Sequence, residues 1–292
     1  MLDLCQQLAS QSVADALPRK QLCDALALPR STFYRLAQIA VDVDQEEMTL
    51  RDTIQRLALE MPFYGYRRIT AELHRQGVKV NHKRVRRLMR QDNLLCLRQR
   101  KAFLVTTDST HRFSIYPNLA AELLLTDINQ LWVADLTYIR LRREFIYLAA
   151  ILDAYSRRCI GWELSPRIDA QLAIQALQMA LANREVVPGL VHHSDRGVQY
   201  ASREYTAILH QHQVQISMSR KGNPYDNAQA ERFMRTLKEE EVYLSDYENL
   251  SEARSSLKRF LDEVYNQKRL HSALGYVPPA EFEQSLYQRT YP

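Results

Sequence analysis

Three acidic residues stand where a carboxylate needs a partner or a chemical role. The first, Asp135, lies inside the apolar run Leu131–Leu141. A strand with apolar residues on both faces is typical of the centre of a sheet. An ionised carboxylate there costs several kcal/mol unless it is paired with a cation or binds a metal. The run alone leaves two interpretations open: an aspartate paired with a nearby arginine, or a metal ligand.

The other two acids follow a strand and begin a helix. Asp195 comes just after the predicted strand Leu190–His193, and strand ends in open α/β sheets are common ligand sites. An aspartate close before a glycine is also typical of a turn. Glu231 belongs to one helical stripe at positions i, i+4, i+8 and i+11, which alone fits a solvated face equally well. The stripe consists of Asn227, Glu231, Arg235 and Lys238.

Positioning these acids requires a mixed α/β domain after residue 130. Runs rich in β-branched and aromatic residues predict three hairpin-connected strands, which are Leu131–Leu141, Phe145–Leu152 and Cys159–Leu164. Further strands are predicted at Leu190–His193 and Val214–Met218. Helices are predicted at Asp169–Arg184, Ser202–His212, Asp226–Val242 and Ser251–Asn266. We expect Asp226 or Asn227 to cap the helix that carries Glu231. This order of elements predicts a mixed five-stranded sheet.

The chain before the strands is predicted to be helical. Arg19–Leu26 and Ser31–Gln38 predict two helices around a break at Pro29, with Ser31 or Thr32 as a cap. The acidic stretch Val41–Glu47 predicts a linker. Three more helices, at about residues 49–60, 66–76 and 82–93, form a second module, and Asn81 is expected to cap the last of them.

The last of these helices is strongly cationic. Residues 62–101 hold 12 Lys and Arg against two acids, a net +10, whereas residues 126–292 carry a net −1. Val85, Leu88 and Met89 recur at i, i+3 and i+4 and predict a buried face. Five basic residues lie mostly off that stripe: Lys83, Arg84, Arg86, Arg87 and Arg90. An apolar face for docking and a cationic face for phosphates predict a helix that contacts nucleic acid.

Composition excludes several classes of protein. The chain has 292 residues, a net charge of +5 and only 7 glycines. Its longest apolar run, Phe145–Leu152, is far shorter than the roughly 20 residues of a membrane span. The amino terminus does not resemble a secretory signal. The four cysteines form no Cys-x-x-Cys pair, which argues against a zinc finger or a disulfide framework. Because His192 and His193 are adjacent on a strand, only one is expected to face the core.

Four ordered motifs resemble those of the second-frame transposase of two-frame bacterial insertion sequences, over roughly residues 50–285. Asp135, Asp195 and Glu231 resemble the catalytic triad of the DDE transposases and retroviral integrases. The sequence departs from the family pattern at Leu270, where proline often stands. The motifs are Trp132-x-x-Asp135-Leu-Thr-Tyr, His193-Ser-Asp-x-Gly-x-Gln-Tyr200, Gly222-Asn-Pro-Tyr-Asp-Asn-Ala228 and Tyr265-Asn266-x-x-Arg269-x-His271-x-x-Leu274.

The resemblance implies an architecture and a reaction. Helix-turn-helix modules at 1–45 and 46–96 and a connector at 97–128 would precede a ribonuclease-H-like catalytic core at 129–245, with helices on both faces of its sheet, and a helical tail at 246–292. The triad would hold two Mg²⁺, with Mn²⁺ as a substitute, about 3.5–4 Å apart for in-line attack on a phosphodiester. Asp135 would bridge the ions, and Asp195 and Glu231 would each complete one site.

The resemblance also implies DNA contacts and partners. Residues expected near the DNA are Asn227, Arg235, Lys238, Arg269 and His271, besides the basic helix. The partners would be double-stranded element ends and target DNA, a second copy of the chain on paired ends, and an upstream-frame protein fused by frameshifting. The expected location is the bacterial cytoplasm, at the nucleoid.

Two other functions compete with transposition. A non-catalytic helix-turn-helix regulator would explain the basic helix but not Asp135 within an apolar strand. A nuclease of the same fold would explain the acids but would not need two DNA-reading modules. DNA strand joining distinguishes the transposase from both.

Overall fold

The computed structural model describes residues 23–24, 29–94, 113–220, 223 and 225–290. The chain divides into two compact units, Met1–Leu97 and Arg98–Pro292. Most of the first predicted helix-turn-helix module lies outside the described residues, and so does much of the connector at 97–128. The predicted domain boundaries therefore stay predictions.

From residue 29 to residue 94, the first unit contains the helices α1 (Arg30–Glu60), α2 (Tyr66–Arg75) and α3 (His82–Gln91). Val85, Leu88 and Met89 are buried, as the periodicity of α3 predicts. The predicted cap is also confirmed, because the Asn81 side chain accepts a hydrogen bond from the Lys83 amide at 2.8 Å.

Two expectations for α1 are wrong. The acidic stretch 41–47 is part of this helix rather than a linker. Glutamate and glutamine favour helices, and the Glu47 carboxylate pairs with Arg51 one turn later, at 3.2 Å. Because α1 begins at Arg30, Ser31 and Thr32 lie in its first turn instead of capping it.

The second unit contains the predicted five-stranded sheet: β1 (Leu131–Arg140), β2 (Phe145–Asp153), β3 (Cys159–Ser165), β4 (Val191–Ser194) and β5 (Gln215–Met218). The strand order is β3-β2-β1-β4-β5, so the strand with Asp135 is central, as its two apolar faces predict. The pairs β1–β2 and β2–β3 are antiparallel, and β4 and β5 add parallel strands. The sheet is therefore mixed.

Helices cover both faces of this sheet. One face packs on α4 (Ala170–Asn183) and α6 (Arg203–Gln211), which follows the short α5 (Val198–Ala201). The other face packs on α7 (Ala228–Glu240) and α8 (Leu250–Arg259). Because β4 is covered on both sides, His192 and His193 are both buried, and the expectation that only one would be is wrong.

The segment predicted as a helical tail is part of the same core. Ala253 and Leu257 of α8, and Phe260, Leu261 and Tyr265 of a π-helical turn at Phe260–Tyr265, are buried with residues of β1 and β2. The packing therefore shows no break between 245 and 246. A last helix, α9 (Pro279–Thr290), lies within this segment, although its separate bounds are not predicted from the sequence. Within the described ranges, every helix is too short or too polar to cross a lipid bilayer.

Candidate active site

The pairing of β1 with β4 brings the first two acids together. Leu131, Trp132 and Val133 pair with Val191, His192 and His193, a constant difference of 60 positions. The same difference places Asp135 beside Asp195, which directly follows the last residue of β4. Parallel strands keep a constant register, so two residues far apart in sequence become neighbours at the carboxyl end of β4.

The third acid is placed by the start of α7. The buried Asn227 side chain donates from Nδ2 to the Ala134 carbonyl at 2.9 Å, which ties the helix to β1 beside Asp135. The Glu231 amide donates to the Asn227 carbonyl at 3.1 Å, so Glu231 lies one turn further along. Asn227 is the N-cap residue of α7, as predicted, but its side chain reaches β1 and makes no capping hydrogen bond. Asp226 pairs bidentately with Arg220 at 2.9 and 3.0 Å instead.

The three carboxylates act on one another electrostatically. Burial, followed by the negative charge of Asp195 and then that of Glu231, raises the pKa of Asp135 to about 8. Burial and the charge of Asp195 also raise the pKa of Glu231, against the opposing charge of Arg235. Like charges in one site disfavour ionisation of each other. The central strand β1 and the neighbouring end of β4 therefore concentrate negative charge that a cation would neutralise.

The hydrogen bonds made by these carboxylates come from the backbone. Asp135 accepts from the Leu136 amide at 2.8 Å, and Asp195 accepts from the Gly197 amide at 2.9 Å. The described residues contain no group of three acid, histidine or cysteine side chains already arranged to hold a metal ion.

The two histidines of β4 are used in the core. His192 Nε2 lies 2.9 Å from the Tyr205 hydroxyl, and the two ring nitrogens of His193 lie 2.8 and 3.0 Å from the hydroxyls of Ser217 and Ser219. Burial lowers the pKa of His192 to about 3. Both rings are therefore neutral, and these ring nitrogens are hydrogen-bonded to hydroxyl groups of the core.

Part of the predicted stripe on α7 lies near these carboxylates. Arg235 is exposed, and its charge acts on Glu231. Lys238 Nζ lies 3.9 Å from the centre of the Tyr138 ring, and its charge opposes the rise in the pKa of Asp135. Asn227, in contrast, is buried and bonded to β1, and its predicted contact with DNA stays a prediction. Its position before Glu231 gives it a role in placing the helix.

Two further residues predicted to contact DNA make contacts within the protein, and their contact with DNA stays a prediction. Arg269 is 5% exposed, and its Nε and Nη2 donate to Glu240 of α7 at 2.7 and 2.6 Å. His271 is half-buried, with its ring 5.1 Å from that of Tyr265. Sequence alone gave no sign that these polar residues would be enclosed, because their partners lie on α7 and in the π-helical turn.

The motif that contains these two residues holds the site together. The Asn266 side chain exchanges two hydrogen bonds with the Cys159 backbone at the start of β3, each 3.0 Å long. The Tyr265 ring packs against Phe233 of α7 at 4.8 Å. Together with the Arg269–Glu240 pair, these contacts fix the helix that carries Glu231.

In the first unit, α3 presents its basic side chains to solvent. Lys83, Arg86, Arg87 and Arg90 are exposed, and Arg84 is half-buried. The Glu47 carboxylate lies 2.9 Å from Arg87 and 3.6 Å from Arg84, so part of the cationic face is paired. The predicted contact with nucleic acid stays a prediction.

Comparisons with known proteins agree with this architecture. Residues 126–224 and 212–279 match models described as integrase core domain, and residues 44–102 match an HTH-like domain. A solved structure of the catalytic core domain of BIV integrase aligns with 56% of this chain and 99% of its own, at 20% identity and a TM-score of 0.42.

Relatives from bacterial insertion sequences align over most of their length. A 31 kDa protein of insertion element IS600 from Shigella sonnei is 37% identical over 91% of this chain and 99% of its own. The transposase of IS904 from Lactococcus lactis is 38% identical over 76% and 87%. Transposase InsF of IS3A from Escherichia coli K12 is 35% identical over 90% and 93%.

The fold and the matched domains define a DNA-cleaving and strand-transferring enzyme with a ribonuclease-H-like integrase core. Within that class, the chain belongs to the family of insertion-sequence transposases that includes these relatives.

Proposed function

We propose that this transposase cuts and joins DNA at the ends of an insertion sequence, with Asp135, Asp195 and Glu231 as its catalytic triad and two Mg²⁺ as its cofactors. The observation that carries the proposal is the parallel register of β1 and β4, which brings Asp135 next to Asp195. The charges of Asp195 and Glu231, which both act to raise the pKa of Asp135, support it. Three carboxylates far apart in sequence thus form one electrostatic cluster.

The chemistry of the donor set fits the proposed metal. Mg²⁺ prefers oxygen ligands and keeps several waters, so a few carboxylates and a substrate phosphate suffice. Asp135, on the central strand, would hold the ions together with Asp195 and Glu231. When bound, the ions activate the attacking oxygen and stabilise the leaving oxygen. Mn²⁺, which takes the same ligands, would substitute.

The remaining residues position the DNA. Arg235 and Lys238 lie along α7 beyond Glu231, on the side from which a phosphate backbone would approach. Exposed Lys83, Arg86 and Arg90 of α3 would neutralise phosphates of the element end. Since residues 126–292 carry a net −1, most general attraction for DNA comes from the first unit.

Transposition joins two element ends, so we propose at least a dimer on paired ends. Two basic modules in one complex strengthen binding through effective concentration. An upstream-frame protein fused to the amino terminus would add a further DNA-binding segment. The DNA of the bacterial nucleoid would supply both ends and targets.

The test is a divalent-metal titration with supercoiled and end-containing DNA. Asp135→Asn, Asp195→Asn and Glu231→Gln should each abolish cleavage and joining while end binding stays within about twofold of wild type, because each removes a ligand and leaves α3 intact. Glu204→Gln, at an exposed acid on α6, is the matched control and should keep full activity.

Each outcome decides between functions. Strand joining that needs Mg²⁺ and all three acids supports the proposal. Hydrolysis without joining indicates the nuclease, and DNA binding without either reaction indicates the regulator. A variant that kept near-normal strand transfer would remove its residue from the triad.

A further inference from the structure

The turn between β1 and β2 carries a cluster of positive charge in a unit that is otherwise close to neutral. Arg140, Arg142 and Arg143 are all exposed, and Glu144 is the acid beside them. Arg142 pairs with Glu248, but both side chains are more than half exposed, and such pairs are weak. Among the described residues, neither Arg140 nor Arg143 forms an ion pair.

Aromatic side chains lie at the base of the same hairpin. Phe145 pairs with Arg140 across the strands and is 49% exposed. Its ring meets that of Tyr138 edge-on, with centres 5.7 Å apart. We call Tyr138, Arg140, Arg142, Arg143 and Phe145 the hairpin surface. Arginines interleaved with exposed aromatic rings are typical of surfaces that bind nucleic acid.

The hairpin surface and the active site share strand β1, on which the side chains of residues five positions apart point to opposite faces of the sheet, and Lys238 of α7 lies near both. Asp135 and Arg140 lie on one strand, five residues apart, which corresponds to about 17 Å. Duplex DNA rises about 3.4 Å per base pair, so the same length spans about five base pairs. Lys238 joins the two regions, because its ammonium lies over the Tyr138 ring and its charge also acts on Asp135.

The chemistry of the surface indicates which DNA it takes. Arginines on an exposed turn suit contacts with phosphates, which position a duplex without reading its sequence. An element end has to be recognised by sequence, and α3 offers a helix for that task. Target DNA also has to lie beside the same carboxylates, but its sequence does not have to be recognised.

We propose that the hairpin surface binds the phosphate backbone of the target DNA about five base pairs from the site of joining. The proposal rests on the function proposed above. It assigns Arg140 and Arg143 to target capture and leaves recognition and cleavage of the element end to other residues.

The experiment compares the full-length Arg140→Gln/Arg143→Gln variant with wild type in two separate steps. Strand transfer from pre-cleaved ends should need about tenfold more target DNA to reach half of its maximal rate. The log–log salt dependence of this step should fall by about 1.8, since each lost phosphate contact removes about 0.9. Cleavage of the element end should stay within twofold of wild type.

Two matched variants make the result specific. Arg140→Lys/Arg143→Lys keeps the charges and should restore most target capture. Arg203→Gln/Arg259→Gln removes two exposed arginines of α6 and α8 and should leave both steps unchanged.

Three results would overturn the proposal. Unchanged target capture would show that the hairpin does not touch DNA, and an equal loss of end cleavage would show that it holds the element end. Loss of the dimer in light scattering would make it a protein interface. Salt-dependent binding of a nonspecific 30-base-pair duplex measures the DNA contacts of the hairpin without catalysis. An inactive wild type would therefore contradict the proposed function, whereas the difference in duplex binding between the variant and wild type would still test the hairpin surface.

Discussion

Two groups of acids in the second unit, the predicted triad and a pair elsewhere in the unit, have very different surroundings. Asp153 accepts hydrogen bonds from the amides of Asn129, Tyr155 and Ser156 at 2.7–3.0 Å. Glu283 of α9 is 2% exposed and is held by Arg158, by Arg184 and by the Ser156 hydroxyl. We call Asp153 and Glu283 the paired acids. Every charge in this group has donors from the protein itself.

Asp135 of the triad differs from Asp153 of the paired acids in the second largest cause of its pKa shift. Burial raises the pKa of Asp153, and backbone hydrogen bonds from Asn129 and Ser156 oppose that rise. Burial also raises the pKa of Asp135, but there the next largest cause is the charge of Asp195, which adds to the rise. Acids that have hydrogen-bond donors and cationic partners within the protein contribute to stability. Acids that repel one another favour the binding of a cation.

The largest effect on stability is expected from breaking the paired acids. Glu283→Gln would leave the buried Arg184 guanidinium without its charged partner, and losing one member of a buried pair costs about 3–5 kcal/mol. Urea unfolding followed by circular dichroism measures the change. Glu185→Gln, at the exposed neighbour of Arg184, is the control and should stay within about 0.5 kcal/mol. A loss below 1 kcal/mol for Glu283→Gln would show that this pair does not hold α9.

The next largest effect is the pH dependence of stability that the buried, neutral His192 causes. The pKa of His192 is lowered to about 3 by burial, whereas an unfolded chain protonates histidine near its ordinary value of 6.5. Its contribution is therefore complete above pH 6.5 and is lost as the pH falls towards 3. The loss is at most about 1.4 kcal/mol per pH unit.

His192→Gln removes this titration. Between pH 6.5 and 5, its unfolding free energy should fall less steeply than that of wild type in the same urea experiment. His193, whose pKa is also lowered by burial, is present in both proteins and cancels from the difference. Parallel pH profiles would mean that the His192 ring is solvated in the folded protein.

A smaller effect of opposite sign is expected in the triad. Asp135→Asn removes a carboxyl whose ionisation Asp195 and Glu231 disfavour in the folded chain but not in the unfolded one, so in EDTA at neutral pH it should raise the unfolding free energy by about 1 kcal/mol or more, since one pKa unit corresponds to about 1.4 kcal/mol. The same variant should lose strand transfer. Destabilisation by more than 1 kcal/mol would mean that Asp135 is a structural acid like Asp153, and the contrast between the two groups would fail.

The smallest effect is expected in the first unit, where Glu47 is an acid on a cationic surface. Glu47→Gln should change stability by less than about 1 kcal/mol, because ion pairs near the surface are weak. It should strengthen DNA binding at low salt and steepen the log–log salt dependence by up to about 0.9, as Arg84 or Arg87 is released for one phosphate. Fluorescence anisotropy with an element-end duplex measures both. Weaker binding would show that Glu47 orients the arginines for DNA instead of competing for them.

Sequence was sufficient wherever local pattern and burial agree. The apolar runs of β1, β2 and β3 predicted strands because few other structures bury such short segments on both sides. Asn81 before a helix with period 3.6 predicted both the cap and the buried face of α3. Asp135 was conspicuous for the same reason, since a charge within a buried strand violates the pattern around it.

Sequence was insufficient wherever a partner lies far along the chain. The acidic stretch before Glu47 has the composition of a linker, and its helix is supported by arginines of α1 and α3. Arg269 and His271 are polar residues in a polar segment, and only Glu240 and Tyr265 reveal that they are enclosed. The Asn227 side chain could cap a helix, yet the Ala134 carbonyl takes it instead.

The sequence by itself determined which residue types this transposase has for its chemistry: three acids in unusual settings and a helix of concentrated positive charge. Only the tertiary structure decided that the acids share one site. Their meeting depends on the parallel register of β1 and β4 and on one hydrogen bond from Asn227, and both are set by long-range packing. Local sequence preferences act over a few residues, whereas the triad spans positions 135 to 231, so its assembly belongs to the sheet as a whole.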